Sequence, residues 1–235
     1  MRELERVSLL LGEEAIEALQ SKCVLVIGCG GVGSYAIEAL ARSGIGKLII
    51  VDKDVISISN LNRQLMTNYT NVGLSKTLEM KKRIETYSKC EVVCVEAFFD
   101  ETCAYLLDGV DFVIDAIDTV TSKLFIAKEC HKRKIKFVMS LGMGNRLDPS
   151  QLVYTSLDKT SYDPLAKAMR TICKKEKLNF KIPVIFSKEI PCKQNVVVDE
   201  KGKTRKDRIP PASMIFVPAA AGLLAASVCV RKLLA

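Results

Sequence analysis

Apolar positions along this chain fall into short continuous runs separated by longer stretches with helical spacing, the alternation expected of strands linked by helices. The first run, Cys23–Ile27, is uninterrupted and rich in β-branched residues, the pattern of a strand buried on both faces of a parallel sheet. Residues 34–42 follow, with Ala36, Leu40 and Ala41 at helical spacing, and a second strand is predicted over Lys47–Val51. Further strands are predicted over 91–97, 112–116, 136–141 and 184–189, and helices over 75–88 and 120–131. At the start of the chain Val7, Leu10, Leu11, Ile16 and Leu19 fit one face of an amphipathic helix across 1–19. Segment 212–230 is nearly all small or apolar and approaches membrane-spanning length. Its Pro218, Gly222 and alanines suit tight helix packing against a sheet instead, so no stable membrane insertion is expected.

The junction between the first strand and helix carries the first chemistry. Gly28, Gly30 and Gly33 form GxGxxG, with Gly31 between them. Gly28 allows a tight turn, Gly30 lets backbone approach a phosphate, and Gly33 lets helix pack against strand. The helix then aims unpaired N–H groups and its positive dipole end at an anion. Asp52 closes the second strand at about the distance where a nucleotide ribose is held. A lone glycine motif is weak, but strand, glycine loop, helix, strand and acid in that order specify a nucleotide. The fold class is therefore α/β: a Rossmann-like nucleotide-binding fold, mostly parallel, with helices on both faces and a C-terminal strand/helix extension. With 235 residues and 49% hydrophobic content, a single domain over 1–235 is expected. It comprises an N-terminal helical segment (1–20), a nucleotide-binding core (21–141) and a basic, substrate-facing portion (142–235). The last portion is expected to include a mobile loop near 197–210, whose 200–208 stretch has no apolar residue.

Downstream residues favour a triphosphate over a nicotinamide. Arg63 offers a planar fork of donors, Lys76 a mobile point charge, and Asn60 can hydrogen-bond phosphate or hydroxyl. At these positions the chain resembles the ubiquitin-activating-enzyme-like family of ATP-dependent adenylyltransferases, which includes ThiF and MoeB. The resemblance is carried by GCGGVGS at 28–34, the segment from Asp52 through Asn60, Arg63 and Gln64, the lysine of VGLSK at Lys76, and Asp115-Ala116-Ile117-Asp118. It implies that Arg63 and Lys76 bind the triphosphate and that Asp52 binds ribose. Asp118 would organise Mg²⁺ with ATP, and the glycines, Asn60 and Gln64 would complete the nucleotide site. It also implies a homodimer in which Arg6 reaches the partner's ATP, against the plain alternative of a solvated surface arginine. Asp118 has its own alternative, capping the helix that follows it.

The resemblance extends towards one branch of the family, through Gly142, Gly144, Asp148-Pro149, Asp158, Asp163-Pro164 and the strand near 184–189. That branch uses ATP to cyclise threonylcarbamoyladenosine in tRNA beside the anticodon, through carboxylate adenylylation and release of AMP. Charge bears on the same point. Residues 1–120 carry 12 Lys and Arg against 18 Asp and Glu, net −6, whereas 121–235 carry 23 against 9, net +14. The densest basic runs, 128–136, 174–181 and 201–208, suit tRNA approaching the C-terminal half.

The nine cysteines are scattered and form no C-x-x-C pair, so a reducing, cytoplasmic setting is expected, and nothing at the start reads as a secretory signal. ThiF and MoeB hold structural zinc through two such pairs; no structural zinc is expected here. Cys173 and Cys192 are the candidate reactive thiols, and a small incidental side chain is the preferred reading of each. His131, the sole histidine, reads as a surface residue. The alternative function is activation of the C-terminus of a ubiquitin-like sulfur-carrier protein, with a sulfur-transfer partner. A non-catalytic nucleotide-binding module is disfavoured by the joint presence of Arg63, Lys76 and Asp118, and a dehydrogenase is more distant still.

Overall fold

The computed structural model describes residues 3–195 and 210–235. Strands β1 (Cys23–Ile27), β2 (Lys47–Val51), β3 (Glu91–Val95), β4 (Phe112–Asp115), β5 (Lys136–Ser140), β6 (Leu152–Ser156) and β7 (Pro183–Ser187) form one sheet in the order β3-β2-β1-β4-β5-β7-β6. All neighbours run parallel except β6, which lies antiparallel to β7. The alternating direction of side chains along β1 divides its apolar run between two cores. Val24 and Val26 join the cluster on one face, and Leu25 and Ile27 the cluster on the other.

On the first face lie α3 (Gly33–Arg42), α4 (Lys76–Glu85) and α7 (Phe216–Leu233). The small residues of α7 matter here, since a Cβ on Gly222 would sit 2.3 Å from the Val32 carbonyl oxygen. Val217, Ala221, Ala225 and Val228 are buried in the same seam. α7 is apolar enough to cross a membrane by composition, with mean hydropathy 1.5, yet its buried residues pack on α3 and the sheet. The second face is covered by α5 (Val120–Arg133) and α6 (Pro164–Lys175). α6 is started by Asp163, whose carboxylate accepts the Ala166 N–H at 2.9 Å, followed by Pro164, whose fixed φ suits a first helical position.

The expected single N-terminal helix is corrected to two, α1 (Glu5–Leu11) and α2 (Glu13–Gln20). Gly12 between them has φ +87°, outside helical geometry, so the apolar positions on its two sides no longer share a face. Ile16 and Leu19 are buried, whereas Leu10 is 82% exposed. The expected helix at 212–230 starts four residues later, at Phe216. β6 was not legible: its side chains are only partly covered, and their mixed character hides the period. The loop expected near 197–210 and the basic run 201–208 lie outside the described residues, apart from Pro210.

Candidate nucleotide site

β1 and β4 are adjacent, and the chain leaves them in opposite directions across the sheet, so a crevice opens at their carboxyl ends. The glycine loop fills one side of it. The Gly28 N–H donates to the Val51 carbonyl at 2.7 Å, and its φ of +96° admits few other residues. A Cβ on Gly33 would lie 1.7 Å from the Gly28 oxygen, which makes the close strand–helix contact specific to glycine. Gly30 is open, with nothing within 4 Å of its would-be Cβ, and Gly31 packs against Pro218 and the Arg63 stem. No side chain caps the start of α3; the Ser34 N–H donates back to the Gly30 carbonyl at 3.0 Å, and the positive end of the helix dipole lies at the loop.

A cavity of about 430 Å³ adjoins this loop. Gly28, Gly30, Gly31, Asp52, Arg63, Lys76 and Asp118 all border it, so residues spread over ninety positions of sequence converge on one space. Asp52 Oδ2 accepts the Cys29 N–H at 2.7 Å, and its Oδ1 accepts the Asp54 N–H at 2.9 Å. Lys76 is nearly buried, with its ammonium held by Asp54 at 2.9 Å. Arg63 is steadied through Nη1 by the Ser59 carbonyl and by Asn62 Oδ1, at 2.8 and 2.9 Å. Asp118 is exposed to the cavity; Thr119 occupies the N-cap position of α5, so the capping alternative for Asp118 is not what the geometry shows.

Asn60 and Gln64 do not border this cavity, and neither does Arg6, which is expected at the partner's nucleotide. Asn60 is buried and its Oδ1 accepts the Ser57 N–H at 3.0 Å, closing a short 3₁₀ turn; it does not border the cavity. Gln64 is also buried away from it, its Oε1 without a partner among the described residues. Arg6 is exposed on α1 and does not border the cavity of its own chain.

Sequence reasoning missed the walls. Phe98 and Phe99 border the cavity beside Asp52, with the Lys53 ammonium 5.2 Å from the Phe98 ring centre. Beneath Asp118, Asp115 and Lys123 form a fully buried ion pair at 2.9 Å, and Lys123 also donates to the Ser140 carbonyl at 2.7 Å. Burial pushes the Asp115 carboxyl up against the lowering effect of Lys123, and Asp115 Oδ2 has no partner among the described residues. The spacing of Asp115 and Lys123, eight residues apart, carries no signal that they meet.

All nine cysteines are free. Cys29, inside the glycine loop, is buried, and burial with the Asp52 charge holds its thiol well above its ordinary value. Burial also raises Cys173; Cys192 is exposed beyond β7. His131 is exposed and stacks flat on Phe180 with ring centres 3.9 Å apart. A larger depression of about 1020 Å³ lies at α1 and α2, but Glu3, Glu5, Glu13 and Glu17 line it, the wrong sign for a phosphate.

The profile of the ThiF family matches residues 2–233. The chain is 41% identical over 242 residues to the tRNA threonylcarbamoyladenosine dehydratase of Bacillus subtilis, covering 100% of this chain and 95% of that protein. Among solved structures it is similar to E. coli tRNA N6-threonylcarbamoyladenosine dehydratase in complex with AMP. There the TM-score is 0.87 and identity 33%, covering 97% of this chain and 92% of that one. The same E. coli enzyme in complex with ATP superposes with TM-score 0.87 and 32% identity over 99% of this chain and 93% of the other.

Proposed function

The chain belongs to the ThiF family, and from that membership and the cavity at the β1/β4 crevice we propose that it is an ATP-dependent tRNA threonylcarbamoyladenosine dehydratase. The carrying observation is the convergence of Asp52, Arg63, Lys76 and Asp118 on one cavity against the glycine loop, in a chain matched along its whole length by a dehydratase of that name.

ATP lies with its ribose towards Asp52 and its phosphates between the glycine loop, Arg63 and Lys76. The threonyl carboxylate of the modified adenosine attacks the α-phosphate, and pyrophosphate leaves. Arg63 and Lys76 neutralise charge developing on the phosphate oxygens, an electrostatic contribution made by preplaced groups. A nucleophile within the threonylcarbamoyl group then attacks the carbonyl of the mixed anhydride. AMP departs with the carboxylate oxygen, so ring closure amounts to loss of water. Magnesium fits this site: Asp118 is a hard oxygen donor open to the cavity and free of capping, and a lone carboxylate with phosphate oxygens and water is a usual Mg²⁺ setting. Asp118 would hold the ion, which supplies further neutralisation of phosphate charge.

The reading includes a homodimer in which Arg6 approaches the partner's nucleotide. It is supported by α1, which buries no residue and leaves Leu9 and Leu10 both 82% exposed. tRNA approaches the basic half, where Lys132, Lys134, Lys174, Lys175 and Lys181 are exposed and Lys128 ties α5 to Glu176 at 2.8 Å. A cytoplasmic setting agrees with nine free thiols. A single domain over 1–235 is supported by one continuous sheet, which runs past the expected core limit of 141 through β6 and β7.

The test is nucleoside mass spectrometry on tRNA bearing threonylcarbamoyladenosine after incubation with protein and Mg-ATP. ATP-dependent loss of one water from that nucleoside is expected. An unchanged nucleoside, with pyrophosphate exchange only when a carrier protein is added, would move the assignment to carrier activation.

A further inference from the structure

Part of the cavity lining lies outside the nucleotide contacts proposed above. Pro210, Pro211 and Ser213 border the cavity, together with residues 142–144 at the end of β5. This short strap is tied at two adjacent residues, Ala212 and Ser213. Asn145 holds Ala212 twice, its N–H donating to the Ala212 carbonyl at 2.7 Å and its Oδ1 accepting the Ala212 N–H at 3.0 Å. Asn62, next to Arg63, donates from Nδ2 to the Ser213 carbonyl at 2.8 Å. Gly144 supplies the seat, since a Cβ there would lie 2.6 Å from Pro211 Cβ.

The seat itself is rigid. Arg146 is buried and donates to the Gly142 carbonyl, and to that of Tyr162 at 3.3 Å; Asp163 accepts the Gly142 N–H at 2.9 Å. Asn145 has φ +59°, a conformation that asparagine tolerates better than most residues. Two consecutive prolines stiffen the strap. A two-bond clamp from a residue in the left-handed conformation, set on a braced loop at the cavity, is more apparatus than chain connection requires.

We propose that Asn145 is a positioning residue: it clamps the strap of residues 211–213 onto Gly144, so that strap and loop form the wall along which the tRNA nucleoside's carboxylate reaches the α-phosphate. The inference rests on the dehydratase reading and adds the acceptor side of the same site. Ribose and phosphate contacts come from Asp52, the glycine loop, Arg63 and Lys76; the Asn62 tie to Ser213 adjoins Arg63, whereas the Asn145 tie to Ala212 does not, so releasing Asn145 alone disturbs the acceptor while leaving ATP in place.

The experiment compares wild-type protein with Asn145→Gly, Asn145→Asp and Gly144→Ala. Glycine keeps the left-handed backbone accessible and removes Oδ1, whereas aspartate keeps both. Dehydration of threonylcarbamoyladenosine in tRNA, the KM for ATP, and hydrogen exchange in a peptide covering 211–215 are measured for each. For Asn145→Gly, kcat/KM for tRNA is expected to fall about tenfold or more, as small misplacements of reacting groups do. The KM for ATP should stay within about twofold, a split that uniform damage would not give. Exchange at Ala212 should accelerate about tenfold. Asn145→Asp should restore all three towards wild type, and Gly144→Ala should reproduce the loss from the other side of the contact. Wild-type conversion matched by Asn145→Gly, or a parallel rise in the KM for ATP, overturns the positioning role alone. An intact nucleoside with wild-type protein removes the dehydratase reading, and this role with it.

Discussion

Asp52 braces the loop beside which it is expected to bind ribose: Oδ2 accepts the Cys29 N–H at 2.7 Å while Oδ1 accepts the Asp54 N–H at 2.9 Å. Both carboxylate oxygens are engaged, and one of these bonds reaches Asp54, the residue that holds Lys76. Asp52→Asn replaces one acceptor by a donor facing a backbone N–H. ATP affinity is expected to fall by about 1–3 kcal/mol, roughly 5- to 150-fold, the cost of a lost charged acceptor. Titration calorimetry with ATP checks it, and an affinity equal to wild type would contradict the double role.

Arg63 stands at the cavity with Nη1 fixed by Ser59 and Asn62. If it stabilises charge in the adenylylation step, Arg63→Ala should lower turnover about 10²- to 10³-fold, the range for loss of one preorganised donor. tRNA affinity, measured by filter binding, should change little. Equal loss of turnover and tRNA affinity would count against that role.

The Asp115–Lys123 pair is fully buried beneath Asp118. Lys123→Met leaves an uncompensated carboxylate and is expected to cost about 3–5 kcal/mol in urea unfolding. The double variant Asp115→Asn with Lys123→Met should recover much of that loss. A single-variant cost below about 1 kcal/mol would show that the pair contributes like a surface salt bridge.

Glu38 on α3 gathers three donors: Arg42 at 2.8 Å, Arg83 at 3.0 Å and the Tyr87 hydroxyl at 2.8 Å. Burial alone would raise its carboxyl, but these hydrogen bonds outweigh it and hold the pKa below the ordinary value. A depressed folded pKa contributes stability above the unfolded value of about 4.3. That contribution is lost as pH falls through the folded pKa. Glu38→Gln should therefore destabilise by about 1–3 kcal/mol at pH 7 and converge on wild type in acid. A gap that persists unchanged at low pH would refute the linkage.

The sequence by itself determined the nucleotide half of the molecule. Cys23–Ile27 and Lys47–Val51 take their expected bounds, because apart from the half-buried Lys47 each is apolar throughout, as a strand buried on both faces must be. The glycine loop was legible because turn, close approach and packing are local demands met within six residues. Asp118 lies just past β4, while Arg63 and Lys76 lie in the long connection from β2 to β3; the family resemblance singled them out, and the fold brings all three to one cavity.

Only the tertiary structure decided what each polar group does there. Asn60 is buried with its Oδ1 accepting the Ser57 N–H, and Lys76 meets Asp54 across 22 positions. The N-terminal apolar positions share a face only if Gly12 stays helical, and it does not. Asp115 with Lys123, and Asn145 with Ala212, are pairings between segments whose approach is set by packing of whole elements. Periodicity reports which face a residue takes within its own element; it carries no term for a partner supplied by another.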